Sequence, residues 1–352
     1  MMALDTINFV KHQRKAMQRV HLSQPDGGPL LALAVQNLVS PSVLFFGIGL
    51  GASLGRSDLS VPEAIARFLS LYLLISIGFR GGAEVAHQGL TLTLALALVA
   101  GVVLSAGLPF IAYVFLRYGT GLDHINAAAV AGHYGSISAV TFVAVTGVLT
   151  QLALPFDGYM IAVAAAMETP AIFSALLIAR SGQAQAKGEL SGGFLREIAL
   201  NGSIVALLGA FAVGCLTGER GMTSLKPFLL DAFPGFLCVF LLDMGLIAGR
   251  GLRDGWRSLS PGVAGFAWVM PLIGAAFAAL FAWLIGLSAG SPAILMTLGA
   301  SASYIAVPAA MRLALPAANP AIALTLSLGL TFPFNLIVGI PLYIAAAQMI
   351  AG

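Results

Sequence analysis

The chain has 352 residues, of which 59% are hydrophobic and only 9% charged, with a formal net charge of +3. A soluble globular domain carries roughly a quarter charged residues, so this composition excludes a cytosolic enzyme and reads as an all-α polytopic membrane protein. The small net charge says little about partners, nothing in the chain suggests nucleic-acid binding, and the 41 glycines fit helices that approach closely or interrupt themselves.

Residues 1–31 form an N-terminal basic segment. Lys11, Arg14, Lys15 and Arg19 alternate with Phe9, Val10, Met17, Val20 and Leu22 before Pro25 and Gly27 break the pattern. A short basic amphipathic helix at the lipid surface fits, and a frayed polar tail fits equally. The first thirty residues hold no apolar h-region, so no cleavable signal peptide is expected.

Ten hydrophobic runs follow, near 32–54, 62–79, 89–117, 124–150, 157–180, 197–217, 227–249, 261–287, 292–315 and 320–350. A straight span needs about 20 residues, so the runs near 30 must tilt, break or end in an interfacial turn. The polar linker 181–196 separates a first five-helix repeat, 32–180, from a second, 197–352. An odd number of spans per half inserts the second half upside down. An offset of 167 residues places Leu74, Gly78 and Gly82 on Leu241, Gly245 and Gly249, and Gly132, Ser136, Ala139 and Val140 on Gly299, Ser303, Ala306 and Val307. Two windows agreeing on one offset predict a 5+5 inverted repeat.

Arg56, Arg117, Arg180, Lys187, Arg196, Arg250, Arg253, Arg257 and Arg312 fall on one side of such a topology, against Arg80, Arg220 and Lys226 on the other. The positive-inside rule therefore puts the linker in the cytoplasm. The N-terminal cluster then lies outside, against the rule.

Two polar stretches interrupt the apolar runs: Gly132-His133-Tyr134-Gly135-Ser136-Ile137-Ser138 and Gly299-Ala300-Ser301-Ala302-Ser303-Tyr304. Non-helical backbone at membrane depth survives only where protein buries it or a wet cavity receives it. Two breaks in corresponding positions of two halves point to a transporter's binding site. The glycines release the helix, the hydroxyls of Ser136, Ser138, Thr141, Ser301 and Ser303 offer hydrogen bonds, and the resumed half-helices expose N–H groups that suit a small anion. Freed carbonyls suit Na+, a hard ion. A single cluster of this kind is ordinary small-residue packing; two in register make a site.

Glu168, in Met167-Glu168-Thr169-Pro170, lies within the fifth run, where a carboxylate is costly and by default functional. In the second half Pro333 and Asn335 hold the comparable place, so the acid is not mirrored, and either one charge-balanced cation site or that site with a second, weaker one is expected. Asp243 is either functional or an interhelical hydrogen-bonding group, while Asp157 and Asp231 read as interfacial. His133 reads as a proton relay or as a packed, hydrogen-bonded ring. Arg312 reads as an anion clamp or an interfacial anchor. Cys215 and Cys238 read as small buried hydrophobes, not a disulfide or metal pair. There is no Gly-rich nucleotide loop, no metal-ligand spacing and no nucleophile–base set, so neither ATP-driven transport nor an enzyme is expected.

The stretches Gly132–Phe142, Met167–Phe173 and Arg312–Pro320 resemble the SbtA-type sodium-dependent bicarbonate transporter family, as a divergent member, from about residue 40 to the C-terminus. The resemblance implies ten spans with two broken, crossed helices, core and gate domains, a homotrimer, and Na+-coupled bicarbonate uptake in the inner (plasma) membrane. It places substrate against Gly135, Ser136, Ser138, Thr141, Ser301, Ala302 and Ser303, and Na+ against Glu168, Ser136, Ser138, Ser303 and Asn335. Glu168 stands where the family pattern has an aspartate. Tyr304 replaces an acid, because Ser-Ala-Ser-Tyr stands where the pattern reads Ser-Ser-Ser-Asp. Control by a PII-like protein, known in the family, would have to act on a chain with a short central linker. The sequence thus predicts import of a small anion by Na+ symport with alternating access, with no organic cofactor. Its rivals are a proton-coupled carrier or antiporter and a membrane binding or regulatory protein that does not transport.

Overall fold

The computed structural model describes residues 40–88, 91–181, 202–255, 259–304, 307, 308, 310, 311 and 315–351. The N-terminal basic segment, the linker 182–196 and Arg312 lie outside the described residues. The described elements are helical throughout. They are α1 (Pro41–Leu54), α2 (Glu63–Gln88), α3 (Leu92–Val114), α4 (His124–Gly135), α5 (Ala139–Gln151), α6 (Met160–Ala166) and α7 (Pro170–Ser181) in the first half. The second half gives α8 (Gly202–Lys226), α9 (Phe233–Gly255), α10 (Pro261–Ile285), α11 (Ser291–Ala300) and α12 (Pro320–Ile350).

Among the described residues seven helical segments are long and apolar enough to cross a membrane: α2, α3 with its last turn, α4 joined to α5, α6 joined to α7, α9, α10 and α12. Two apolar helices, α1 and α11, are shorter. The segment α8 is bent at Gly218, whose backbone takes φ 52 and ψ −137. That conformation ends one helix and starts another, so the hydrophobic run expected at 197–217 continues past a kink to Lys226.

Local chemistry sets the helix ends. Thr91 accepts from the Leu94 N–H at 3.2 Å at the start of α3, and Asp123 accepts from the Asn126 N–H at 3.0 Å at the start of α4. Burial would raise the Asp123 carboxyl, but the hydrogen bonds from Asn126 hold it below the usual carboxylate value. The helix α12 is widened into π-type turns over Thr325–Thr331 and Asn335–Gly339. Each wide turn sends a polar group inward: Thr331 donates to the Ala267 carbonyl at 2.7 Å and Asn335 donates to the Ala300 carbonyl at 2.8 Å.

The helices sort into two bundles. A panel is made by α1 on α9 and α2 on α8. Its helices touch through glycine: a Cβ on Gly245 would lie 2.2 Å from the Phe46 carbonyl oxygen, and one on Gly82 would lie 1.9 Å from that of Phe211. The other bundle, the core, packs α3, α4 and α7 together on one side and α10, α11 and α12 on the other. The run formed by α4 and α5 is almost wholly buried, whereas α3 and α10 turn Val99, Val103, Phe110, Trp268, Leu280 and Trp283 outward. The outer faces are therefore apolar, as lipid contact requires.

Candidate functional site

The first break is short. The helix α4 ends where Ser136 turns extended (φ −93, ψ 152), and α5 begins at Ala139 with the Ser138 hydroxyl accepting from the Thr141 N–H at 3.2 Å. Gly135 permits the exit, because a Cβ there would sit 2.3 Å from Pro109 on α3. The second break mirrors it: α11 ends at Ser301 (φ −82, ψ 162), and residues 301–303 run without helix.

Broken backbone must find partners inside the protein, and the two breaks supply one another. The Ser138 N–H donates to the Ser301 hydroxyl at 3.0 Å, which itself donates to the Leu298 carbonyl at 2.8 Å. The Ser303 N–H donates to the His133 carbonyl at 2.7 Å. The His133 ring returns a bond to the Ser303 carbonyl at 2.6 Å; a carbonyl only accepts, so Nδ1 carries the proton. His133 is thus a clamp between the breaks.

The segment formed by α6 and α7 is broken as well. Between α6 and α7, residues 167–169 leave the helix just before Pro170. Ser105 on α3 donates to the Met167 carbonyl at 2.6 Å and accepts from the Ala171 N–H at 3.2 Å. Ser136 donates to the Glu168 carbonyl at 3.0 Å, tying this third break to the first. Glu168 is 5% exposed, and its Oε2 has no hydrogen-bond partner among the described residues.

These features converge on one cavity of about 30 Å³. On that measure a water needs about 10–15 Å³, so the cavity holds a guest of only a few heavy atoms. Its polar wall is Ser138, Glu168, Ser303 and Tyr304 from the core, and its apolar wall includes Leu73 and Leu74 of α2 and Phe240 of α9. Ala139 and Val140 also line it. As the first residues of α5 they present N–H groups with no intrahelical acceptor, which carry the positive end of the helix dipole. One chamber therefore offers donors from a helix N-terminus and a bare carboxylate oxygen.

A second cavity, of about 640 Å³, lies further along the same helices. It runs beside Ser76, Arg80 and Glu84 of α2 and Thr146, Thr150 and Gln151 of α5. The Arg80 guanidinium sits 5.8 Å from the centroid of the Phe156 ring. Buried Leu74, Val143 and Phe240 line the small cavity, and buried Ile77 and Leu237, on the same helices α2 and α9, line the large one.

Of the residues expected to meet substrate or Na+, Ser138, Ser303 and Glu168 line the small cavity. Gly135, Ser136, Thr141, Ser301 and Ala302 are buried around it and shape the breaks. Asn335 lies apart from its walls: besides the bond to Ala300, its Oδ1 accepts from the Tyr343 hydroxyl at 3.0 Å. Asp157 accepts from the hydroxyls of Ser291 at 2.8 Å and Tyr159 at 3.0 Å, fixing the loop before α6 to the start of α11. Asp243 is buried in α9 and does not line the small cavity. Sequence reasoning passed over Ser105, Ser70 and Phe240, since a serine or phenylalanine inside an apolar helix carries no local mark of its distant partner.

No curated protein matches the chain. Residues 41–348, which hold every element of this site, match the profile of the Na+-dependent bicarbonate transporter superfamily, and the chain belongs to that family of membrane transporters and is not an enzyme.

Proposed function

We propose that the chain imports hydrogencarbonate together with Na+, as a secondary transporter working by alternating access. The observation that carries this reading is the one cavity lined both by the start of α5 and by Glu168, whose Oε2 has no hydrogen-bond partner among the described residues. An anion held by the α5 N–H groups and the Ser138 hydroxyl would be repelled by Glu168 in a medium of low dielectric. A Na+ ion between them attracts both. Each ligand then raises the affinity for the other, and by linkage the effect is reciprocal. That is the thermodynamic content of symport.

The 5+5 inverted repeat is part of the same proposal. It is supported by the two panel contacts, α1 with α9 and α2 with α8, which exchange under the 167-residue offset, and by Glu168 and Asn335, which the same offset pairs. Under the positive-inside reading the large cavity with Arg80 opens on the side away from the linker, which suits uptake. The commitment of the His133 Nδ1 proton to Ser303 supports Na+ over a proton relay at that ring. Assembly as a homotrimer in the inner membrane and control by a PII-like protein complete the proposal on the ground of family alone.

The test is uptake of labelled hydrogencarbonate into proteoliposomes, with acetate and sulfate as competitors. An inward Na+ gradient is expected to drive accumulation, and Glu168→Gln is expected to abolish that stimulation while the protein stays folded. Uptake that follows an imposed pH gradient and ignores Na+ would sink the coupling, and a wild-type chain with no flux at all would sink the transport reading.

A further inference from the structure

The second break ends in Tyr304, to which the transport reading gives no part. Its ring packs edge-on against Phe332, with centroids 5.9 Å apart and an interplanar angle of 67°. Its hydroxyl is shut away from solvent and has no hydrogen-bond partner among the described residues. The Ser138 hydroxyl lies within electrostatic reach but outside hydrogen-bonding geometry.

A buried phenol normally finds an acceptor, and the other buried tyrosines of the core do. Tyr134 bonds the Thr331 hydroxyl at 2.6 Å and Tyr343 bonds Asn335 at 3.0 Å. The panel tyrosine Tyr72 donates to the Phe228 carbonyl. Tyr304 departs from this habit beside an acceptor that is itself unsatisfied. Its hydroxyl and Glu168 Oε2 belong to residues lining the same small cavity, yet neither oxygen has a hydrogen-bond partner among the described residues. A phenol donates and a carboxylate accepts. Were this only packing, the two would be expected to close on each other. Left unbonded to each other, the phenol can donate a hydrogen bond to an anion and the carboxylate oxygen can hold a cation.

We propose that Tyr304 is an anion ligand and sets the affinity of the site for a small oxyanion. Its hydroxyl donates to the guest from the second break, while the N–H groups of Ala139 and Val140 and the Ser138 hydroxyl donate from the first. Donors arriving from two separate breaks are met together by an anion whose oxygens point in different directions. The cation end of the cavity is left to Glu168. This assignment rests on the reading of the cavity as the transport site, and it divides the labour within it.

The substitution Tyr304→Phe removes the hydroxyl and keeps the ring against Phe332. Purified wild type and variant are compared by hydrogencarbonate titration calorimetry at saturating Na+, by thermal unfolding without anion, and by uptake in proteoliposomes. The variant is expected to melt no lower than wild type without anion, because the group it loses has no partner there. Its dissociation constant and KM for hydrogencarbonate are expected to rise by about tenfold or more, as loss of a hydrogen bond to a charged group implies. The Na+ concentration for half-maximal uptake, taken at saturating hydrogencarbonate, stays within about twofold. Unchanged hydrogencarbonate affinity in the variant overturns the assignment. So does a fall in melting temperature that accompanies the loss of binding, since that marks a structural role. A wild-type chain that neither binds nor moves hydrogencarbonate overturns the transport reading itself, a result plainly distinct from an active wild type matched by an equally active variant.

Discussion

Gly274 on α10 sits so close to α11 that a Cβ there would lie 1.9 Å from the carbonyl oxygen of Gly299, in the last turn before the second break. Backbone cannot yield as a flexible side chain can. Gly274→Ala is therefore expected to cost about 1–3 kcal/mol through overpacking, read as a lower unfolding temperature in detergent. Gly265, on the same helix, has nothing within 4 Å of its Cβ position. Gly265→Ala should be neutral or slightly stabilising, because alanine is the better helix former, and the pair separates close approach from glycine loss as such. The sequence marks both positions only as glycine. The same ambiguity covers the serines: Ser301 and Ser303 look alike in the chain, but the first bridges two backbone groups while the second lines the cavity.

At the scale of elements, the breaks were the most legible part of the molecule. Glycine and serine inside an apolar run announce that the helix must stop, and α4 and α11 stop within a few residues of those signals. The break at 167–169 was half legible. Pro170 warns of a lost bond, but the group that holds the freed backbone is Ser105, on another helix. The cavity's other wall was hidden for a similar reason, since Leu73 and Phe240 are indistinguishable in sequence from the apolar residues that face lipid. The joint between breaks also escapes periodicity, because it depends on two helix ends meeting. His133→Leu removes the ring donor and leaves the Ser303 carbonyl short of one bond. The expected cost is about 1–3 kcal/mol, with uptake lost alongside the fall in melting temperature. A variant with wild-type stability would show that the clamp does not hold the breaks together.

For the whole molecule, a multi-pass membrane protein, the bonds are unevenly distributed. The three breaks are linked by Ser136, Ser138, His133 and Ser301 within the core, while the panel meets the small cavity with Ser70 and an otherwise apolar wall. Apolar contact is non-directional and can be remade after sliding, whereas a set of short hydrogen bonds has one geometry. The guest should therefore ride with the core as in a rigid carriage, the moving joint lying between carriage and panel. Thr120 and Gly262 both belong to the core, and a Cβ on Gly262 would stand 3.5 Å from that of Thr120, within disulfide range. A Thr120→Cys, Gly262→Cys bridge should leave uptake intact. Gly147 on α5 faces Leu237 on α9, with its Cβ position 3.5 Å from a Leu237 methyl, so a short bifunctional thiol reagent across Gly147→Cys and Leu237→Cys should arrest uptake. Both are to be made with Cys215 and Cys238, which are free thiols, replaced by alanine. Arrest by the first bridge would sink the carriage picture. Because such a carriage would bring the same polar wall to either face of the membrane, the proposed mechanism has no built-in direction, and reversing the ion gradient is expected to reverse the flux.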